Sequence, residues 1–255
     1  STPKPSSAAS DVYKRQAYNI PAVLRLDGDV DTDALRAALL DVMRRHEVLR
    51  TTYPETEGTA VQQVADMTVA EAALDWRIGD ESEARAALLA GFDLRDELPV
   101  RVRLTQVSAT SWAMVLVLHH IACDGESLAP LVADLIAAYE ARSQGHAPEF
   151  TPLPVQMADV ALWQERVLGA ADDPDSLIGA QLSYWATQLD GAPDVIELPT
   201  DRPRPAIASQ RGARVDFDVP AELSERVGVL ARERGLTPFM LSLIHISEPT
   251  RRYAI

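Results

Sequence analysis

The sequence predicts an α/β fold, and three patterns carry that reading. "PVRVRLTQVS" (99–108) alternates apolar and polar residues as a half-buried strand does. "WAMVLVL" (112–118) is an unbroken apolar run suited to a central strand covered on both faces. Leu35, Leu39, Val42, Met43 and His46 recur at the 3.6-residue spacing of one buried helix face. With 47% hydrophobic residues in a chain of 255, there is enough apolar material for a large core.

Taken in order, "AVLRLDGDV" (22–30) reads as a short strand, and Asp31 can cap a helix that runs to about Glu47. "VLRTTY" and "TAVQQVA" flank the turn "PETEG" as a hairpin, and "EARAALLAGF" (83–92) forms a short helix. After the two strands over 99–118, Asp124-Gly125 makes a tight turn. A helix follows with Leu128, Leu131, Val132, Leu135, Ile136 and Tyr139 on one face. "SLIGAQLSYWATQLDG" (176–191) reads as a helix capped by Ser176 and closed at Gly191, and the Pro-rich 192–206 as an extended linker. "ARVDFDV" (213–219) alternates as a strand, and 220–235 is an amphipathic helix with Pro220 near its start and Gly235 at its C-cap. "TPFML" (237–241) begins another helix.

Charge and composition exclude several functions. Asp and Glu number 38 against 24 Lys and Arg, and a net charge of −14 repels phosphate backbones and anionic lipids, so neither nucleic acid nor a membrane is an expected partner. No secretory signal and no apolar run approaching ~20 residues is present, which makes the cytoplasm the expected compartment. The single cysteine, Cys123, cannot form an intrachain disulfide. Residues 1–16 and 242–255 lack the periodicity of the rest and resemble translated sequencing adaptor, so both are expected to be non-native tails around a genuine chain of about 17–241.

The densest chemistry lies in "VLHHIACDGES" (117–127). His119 and His120 stand at a strand end, where successive side chains point to opposite faces, so one imidazole can enter a cleft while the other turns inward. A metal site is disfavoured, because adjacent strand residues diverge and no third ligand stands at a recognisable spacing. Two satisfied histidines at a strand end remain the bland alternative.

"HHIACDG" resembles the HHxxxDG motif of the condensation domains of nonribosomal peptide synthetases, which share the chloramphenicol acetyltransferase fold. Three more stretches match that family in order. "RRHEVLRTTY" (44–53) resembles RHExLRTxF, and "MADVALWQ" (157–164) resembles YxDFAxW with Met157 at the usual aromatic position. "ELPTDRPRP" (197–205) resembles the segment that joins the family's two lobes. The first-strand motif and the later second-lobe motifs have no counterpart.

The resemblance implies a two-lobed chloramphenicol acetyltransferase-like fold with the first lobe nearly complete over 17–190, an inter-lobe linker over 191–212 and a second lobe only begun over 213–241. It implies amide formation between a carrier-bound donor acyl thioester and a carrier-bound aminoacyl acceptor, with the truncated chain itself inactive. It also implies that the domain binds no cofactor of its own. Its substrates would ride on the phosphopantetheine of upstream and downstream peptidyl carrier proteins, beside an adenylation domain. By the family pattern His120 faces the tunnel as the catalytic group and His119 is structural. Asp124 pairs with an arginine, for which Arg45 and Arg50 are candidates, and Gly125 meets a need for φ > 0 or close approach of a substrate arm. Glu126, where the family often has an apolar residue, reads either as a solvated first-turn acid or as a charge that stabilises a protonated His120. Cys123 reads as a small buried side chain or, as a lesser option, a nucleophile. An epimerisation domain and a non-catalytic recruitment module of the same fold are the alternatives. The recruitment module is expected to lose the second histidine, and a heterocyclising relative replaces the histidines with an aspartate.

Overall fold

The computed structural model describes residues 18–195, 202–203 and 215–247. They fall into two units divided after Arg204. The first unit is built on a four-stranded mixed sheet. Its strands are β1 (Asn19–Asp27), β6 (Asp75–Ile78), β7 (Val100–Ser108) and β8 (Ser111–His119), in the order β1-β8-β7-β6. β8 runs antiparallel to both β1 and β7, whereas β6 lies parallel to β7. Four two-residue strands, β2 (Thr51–Thr52), β3 (Glu55–Thr56), β4 (Thr59–Ala60) and β5 (Gln63–Val64), make the expected hairpin as two nested pairs. The tip needs left-handed backbone at Glu57 and Gly58 (φ 52° and 80°).

Helices cover both faces of the sheet. On one face Val100, Val102 and Leu104 of β7 and Met114, Leu116 and Leu118 of β8 pack against α1 (Thr32–Arg45) and α4 (Gly125–Ser143). Asp31 starts α1 by accepting from the amides of Asp33 and Ala34 at 3.0 and 2.9 Å. On the other face Val115 and Val117 meet Ala84 and Ala87 of α3 (Glu81–Leu89) and the ring of Phe92. Two carboxylates stitch α1 to α4. Buried Asp41 accepts from Arg142 at 2.6 and 2.8 Å, and Asp134 accepts from Arg45 at 2.9 Å and lies 2.6 Å from His46 Nε2. α2 (Met67–Ala73), α5 (Met157–Leu168) and α6 (Leu177–Gln188) complete this unit, and Ser176 caps α6 through the Gly179 amide at 2.9 Å.

The second unit holds α7 (Ala221–Glu233) and α8 (Pro238–Ser247). Gly235 has the left-handed φ of 63° expected after a helix end.

Several expectations need correction. β7 is buried on both faces over Val100–Leu104 and exposed at Gln106–Ser108: Arg101 and Arg103 are 7% and 6% exposed, because α3 covers their face and nearby carboxylates neutralise them. On α4 the buried face runs through Leu131, Leu135, Ala138 and Ala141, leaving Ile136 exposed. Residues 215–220 join no sheet among the described residues, although their alternation predicts a strand. α8 continues past Leu241 to Ser247, since nothing in that apolar run stops a helix before the residue preceding Pro249. The tail over 1–16 and most of the linker lie outside the described residues. Among those described, no helix is long and apolar enough to cross a membrane.

Candidate active site

β8 delivers the two histidines to the start of a short loop that ends at the N-cap of α4. Backbone bonds fix both sides of that loop: the His119 amide donates to the Pro99 carbonyl at 3.0 Å, the His120 amide to the Tyr18 carbonyl at 2.8 Å, and the Ala122 amide to the His119 carbonyl at 2.9 Å. His119 continues the β8 alternation on the face of Val115 and Val117. Its ring lies 5.8 Å from both Tyr18 and Phe92, perpendicular to the latter. Its Nδ1 accepts from the Ile121 amide at 3.1 Å, which places the proton of the neutral ring on Nε2. Burial, with the neighbouring His120 charge in a lesser role, holds the His119 imidazole below its usual range. His120 is exposed. The pair therefore divides as strand geometry predicts, one ring inward and one outward.

Asp124 departs from expectation. It is exposed, and its carboxylate caps α4 by accepting from the Ser127 amide at 2.9 Å and the Ser127 hydroxyl at 2.6 Å. Those bonds from Ser127 hold its carboxyl below the usual range, with a smaller contribution from His120. Among the described residues no arginine pairs with it. Arg45 is committed to Asp134, to the Thr151 carbonyl and to the face of Phe150. Arg50 is committed to Glu47 at 3.0 Å and to the Met43 and Ala65 carbonyls. Both arginines thus brace the end of α1 and the turn after it. Gly125 does not take φ > 0, and an added Cβ there would meet nothing within 4 Å. Glu126 is an exposed acid in the first turn of α4, where the helix dipole favours it, and forms no ion pair with His120 among the described residues. Cys123 is buried, and desolvation pushes its thiol up, the opposite of an activated nucleophile.

The family-like stretches converge in space. The turn after α1 and the loop before α4 share a cavity of about 200 Å³ lined by His46, Val48, Leu49, Cys123, Pro130 and Leu131. Gln156, just ahead of α5, donates to the Arg45 carbonyl at 2.9 Å and accepts from the Glu47 amide at 3.2 Å. The "ELPTDRPRP" stretch lies outside the described residues except for 202–203. Sequence reasoning missed Tyr18 and Phe92, whose rings flank His119, and Arg101, which stacks on Phe92. The only signal was the odd-numbered arginines of β7, which share a strand face with its inward neighbours. Among the described residues no group of three or more His, Cys, Asp or Glu side chains could hold a metal ion.

Comparison with known proteins identifies the family. The condensation-domain family profile matches residues 11–246. A probable non-canonical nonribosomal peptide synthetase, CymA of Salinispora arenicola, is 48% identical over 228 residues, covering 88% of this chain and 3% of that protein. The isonitrile lipopeptide synthase of Mycobacterium tuberculosis is 44% identical over 231 residues, covering 88% of this chain and 9% of that protein. Among solved structures, the X-domain from teicoplanin biosynthesis is 36% identical with a TM-score of 0.73, covering 86% of this chain and 49% of its own. The epimerization domain of tyrocidine synthetase B, at 20% identity and a TM-score of 0.60, shares the fold. The chain thus spans a small part of the synthetases it matches and about half of the solved domains. Motif order, sheet topology and a match over most of its length together establish that the chain belongs to the condensation-domain family.

Proposed function

We propose that this chain forms the histidine-bearing part of a domain that joins a carrier-bound acyl donor to a carrier-bound aminoacyl acceptor. The observation that carries the reading is the division of labour in the loop: His119 is packed and hydrogen-bonded, whereas His120 is exposed on a backbone pinned from three sides. In this reading the acceptor amine attacks the thioester carbonyl, a C–N bond forms, and the C–S bond breaks. The proton lost by the nitrogen ends on the released phosphopantetheine thiol of the donor carrier. His120 positions the amine and relays that proton, while Asp124 and Ser127 hold the start of α4 and so the far end of the loop. Both thiol arms belong to partner carrier proteins, and an adenylation domain loads the acceptor.

Single-turnover transfer between loaded carriers, in a synthetase that contains this domain, tests the assignment. His120→Ala is expected to lower the rate by ~10²-fold or more, and His119→Ala to lower the yield of folded protein instead. A second reading, recruitment without catalysis, has one observation in its favour: the likeness to an X-domain that was solved in complex with OxyB. That reading predicts no transfer even by the unaltered domain, and the same assay decides between them.

A further inference from the structure

Arg101 is an arginine with an unusual set of neighbours. It lies on β7 opposite Val117 of β8, on the same sheet face as His119, and is nearly fully buried. Its guanidinium stacks on the face of Phe92, 3.8 Å from the ring centre. It donates to the carbonyls of Ala90 and Gly91 at 2.9 and 2.7 Å and to Glu97 at 2.8 Å. The same Ala90 carbonyl accepts from the side chain of Asn19 at 2.8 Å, and Asn19 sits directly across the β1–β8 ladder from His119. The segment after α3 is therefore clamped from two strands, and the clamp holds the Phe92 ring perpendicular to the imidazole.

We infer that Arg101 is a positioning residue for the histidine loop: stacked on Phe92, it fixes the ring that packs His119, and His119 in turn holds the Ile121 amide beside His120. The chain of contacts runs from Arg101 to Phe92 to His119 Nδ1 to the Ile121 backbone, with no contact between Arg101 and His120 required. Lysine cannot replace it. An ammonium carries the charge to Glu97 but has neither the planar face that stacks on an aromatic ring nor the fork that reaches two carbonyls at once. Arg103 provides an internal contrast, because it is equally buried on the same strand and bonds Asp75 at 2.7 Å, a carboxylate Arg101 approaches only to 3.7 Å, but it does not stack on Phe92.

The relevance of this positioning to catalysis rests on the assignment of His120 made above, but the positioning can be read without any reaction. In the 255-residue chain labelled with nitrogen-15, the ring nitrogens of His119 report its tautomer, and amide exchange reports the Ile121 bond. The wild-type chain is expected to show His119 as a single Nε2–H tautomer. Arg101→Lys and Phe92→Leu are both expected to move its ring signals toward the averaged tautomers of a free imidazole. Both are also expected to speed Ile121 exchange roughly fivefold or more. Arg103→Lys should do neither. A folded Arg101→Lys chain with unchanged His119 signals, or an Arg103→Lys chain altered to the same degree, overturns the inference. Should Arg101→Lys fail to fold, Phe92→Leu carries the same test, with Phe92→Tyr as the variant expected to retain the wild-type signature. Unimpaired condensation by His120→Ala would remove the catalytic reading and leave these spectra as they are.

Discussion

The sheet with α1 and α4, and the pair α5 and α6, draw on similarly apolar sequence and come to opposite ends. In the first region Leu39, Met43, Leu116 and Leu118 are sealed between helices and strands. In the second, Leu162 and Trp163 of α5 are both 61% exposed and Trp185 of α6 is 56% exposed, and Gly179 is the one buried residue in the two helices. The difference is coverage: a strand face or a neighbouring helix closes over α1 and α4 along their length, whereas α5 and α6 meet mainly each other and the turn after α1. Apolar side chains stabilise a fold only to the extent that something removes them from water.

The largest expected effect follows directly. Leu39→Ala or Leu116→Ala should lower unfolding free energy by ~2–5 kcal/mol, read as a shift in the urea midpoint. Leu162→Ala and Leu182→Ala should stay within ~0.5 kcal/mol. Equal losses in the two regions would mean that α5 and α6 are packed after all. Next in size is Asp41→Asn on the seam of α1 and α4, at about 1–3 kcal/mol, since it leaves Arg142 without its carboxylate while part of that guanidinium still meets water. A melting curve indistinguishable from wild type would show the seam to be held by packing alone.

A pH titration of stability sharpens the contrast between the inward and outward parts of the histidine loop. Burial lowers the folded pKa of His119, so the unfolded chain binds a proton more readily. Stability should therefore climb as pH rises from the folded value through the unfolded value near ~6.5, and level off above it. His119→Phe should flatten that portion of the curve. Asp124 works at the acid end: its carboxyl is depressed by Ser127, so its contribution is present above ~3.9 and lost as pH falls through the lower folded value. The smallest effect is expected for Asp124→Asn at neutral pH, because asparagine caps a helix nearly as well. Asp124→Ala should lower the melting temperature measurably, and a large loss from the asparagine variant would point to an ion-pair partner for this carboxylate.

The legible parts of the chain were those with long periodic patterns. α1 and β8 could be read from the positions of Leu35 to Met43 and Trp112 to Leu118. By contrast α2 and β6 are seven and four residues long, too short for either period to declare itself. β6 is also an edge strand, with Ile78 exposed. The histidine loop could be located from its motif together with the order of neighbouring stretches, and the opposite orientation of its two rings followed from strand geometry. The supports of His119 could not be read, because Tyr18, Phe92 and Arg101 come from three separate segments, and alternation in β7 predicted solvent for an arginine that the fold buries. The capping role of Asp124 could not be read for a related reason: a capping carboxylate and one awaiting a distant cation look alike in one dimension.

The pairing of β1 with β8 also bears on the order in which the molecule assembles. β7 and β8 are joined by the short turn at Ala109 and Thr110 and can close within ~1–10 µs, as hairpins do. β1 lies about a hundred residues before its partner, so its docking bears the entropy of a long loop and is expected late. Yet Tyr18, at the edge of β1, supplies the carbonyl that holds the His120 amide and a ring that packs His119. During synthesis the strand that leaves the ribosome first has to wait for β8, and the two histidines acquire their final setting only when it arrives.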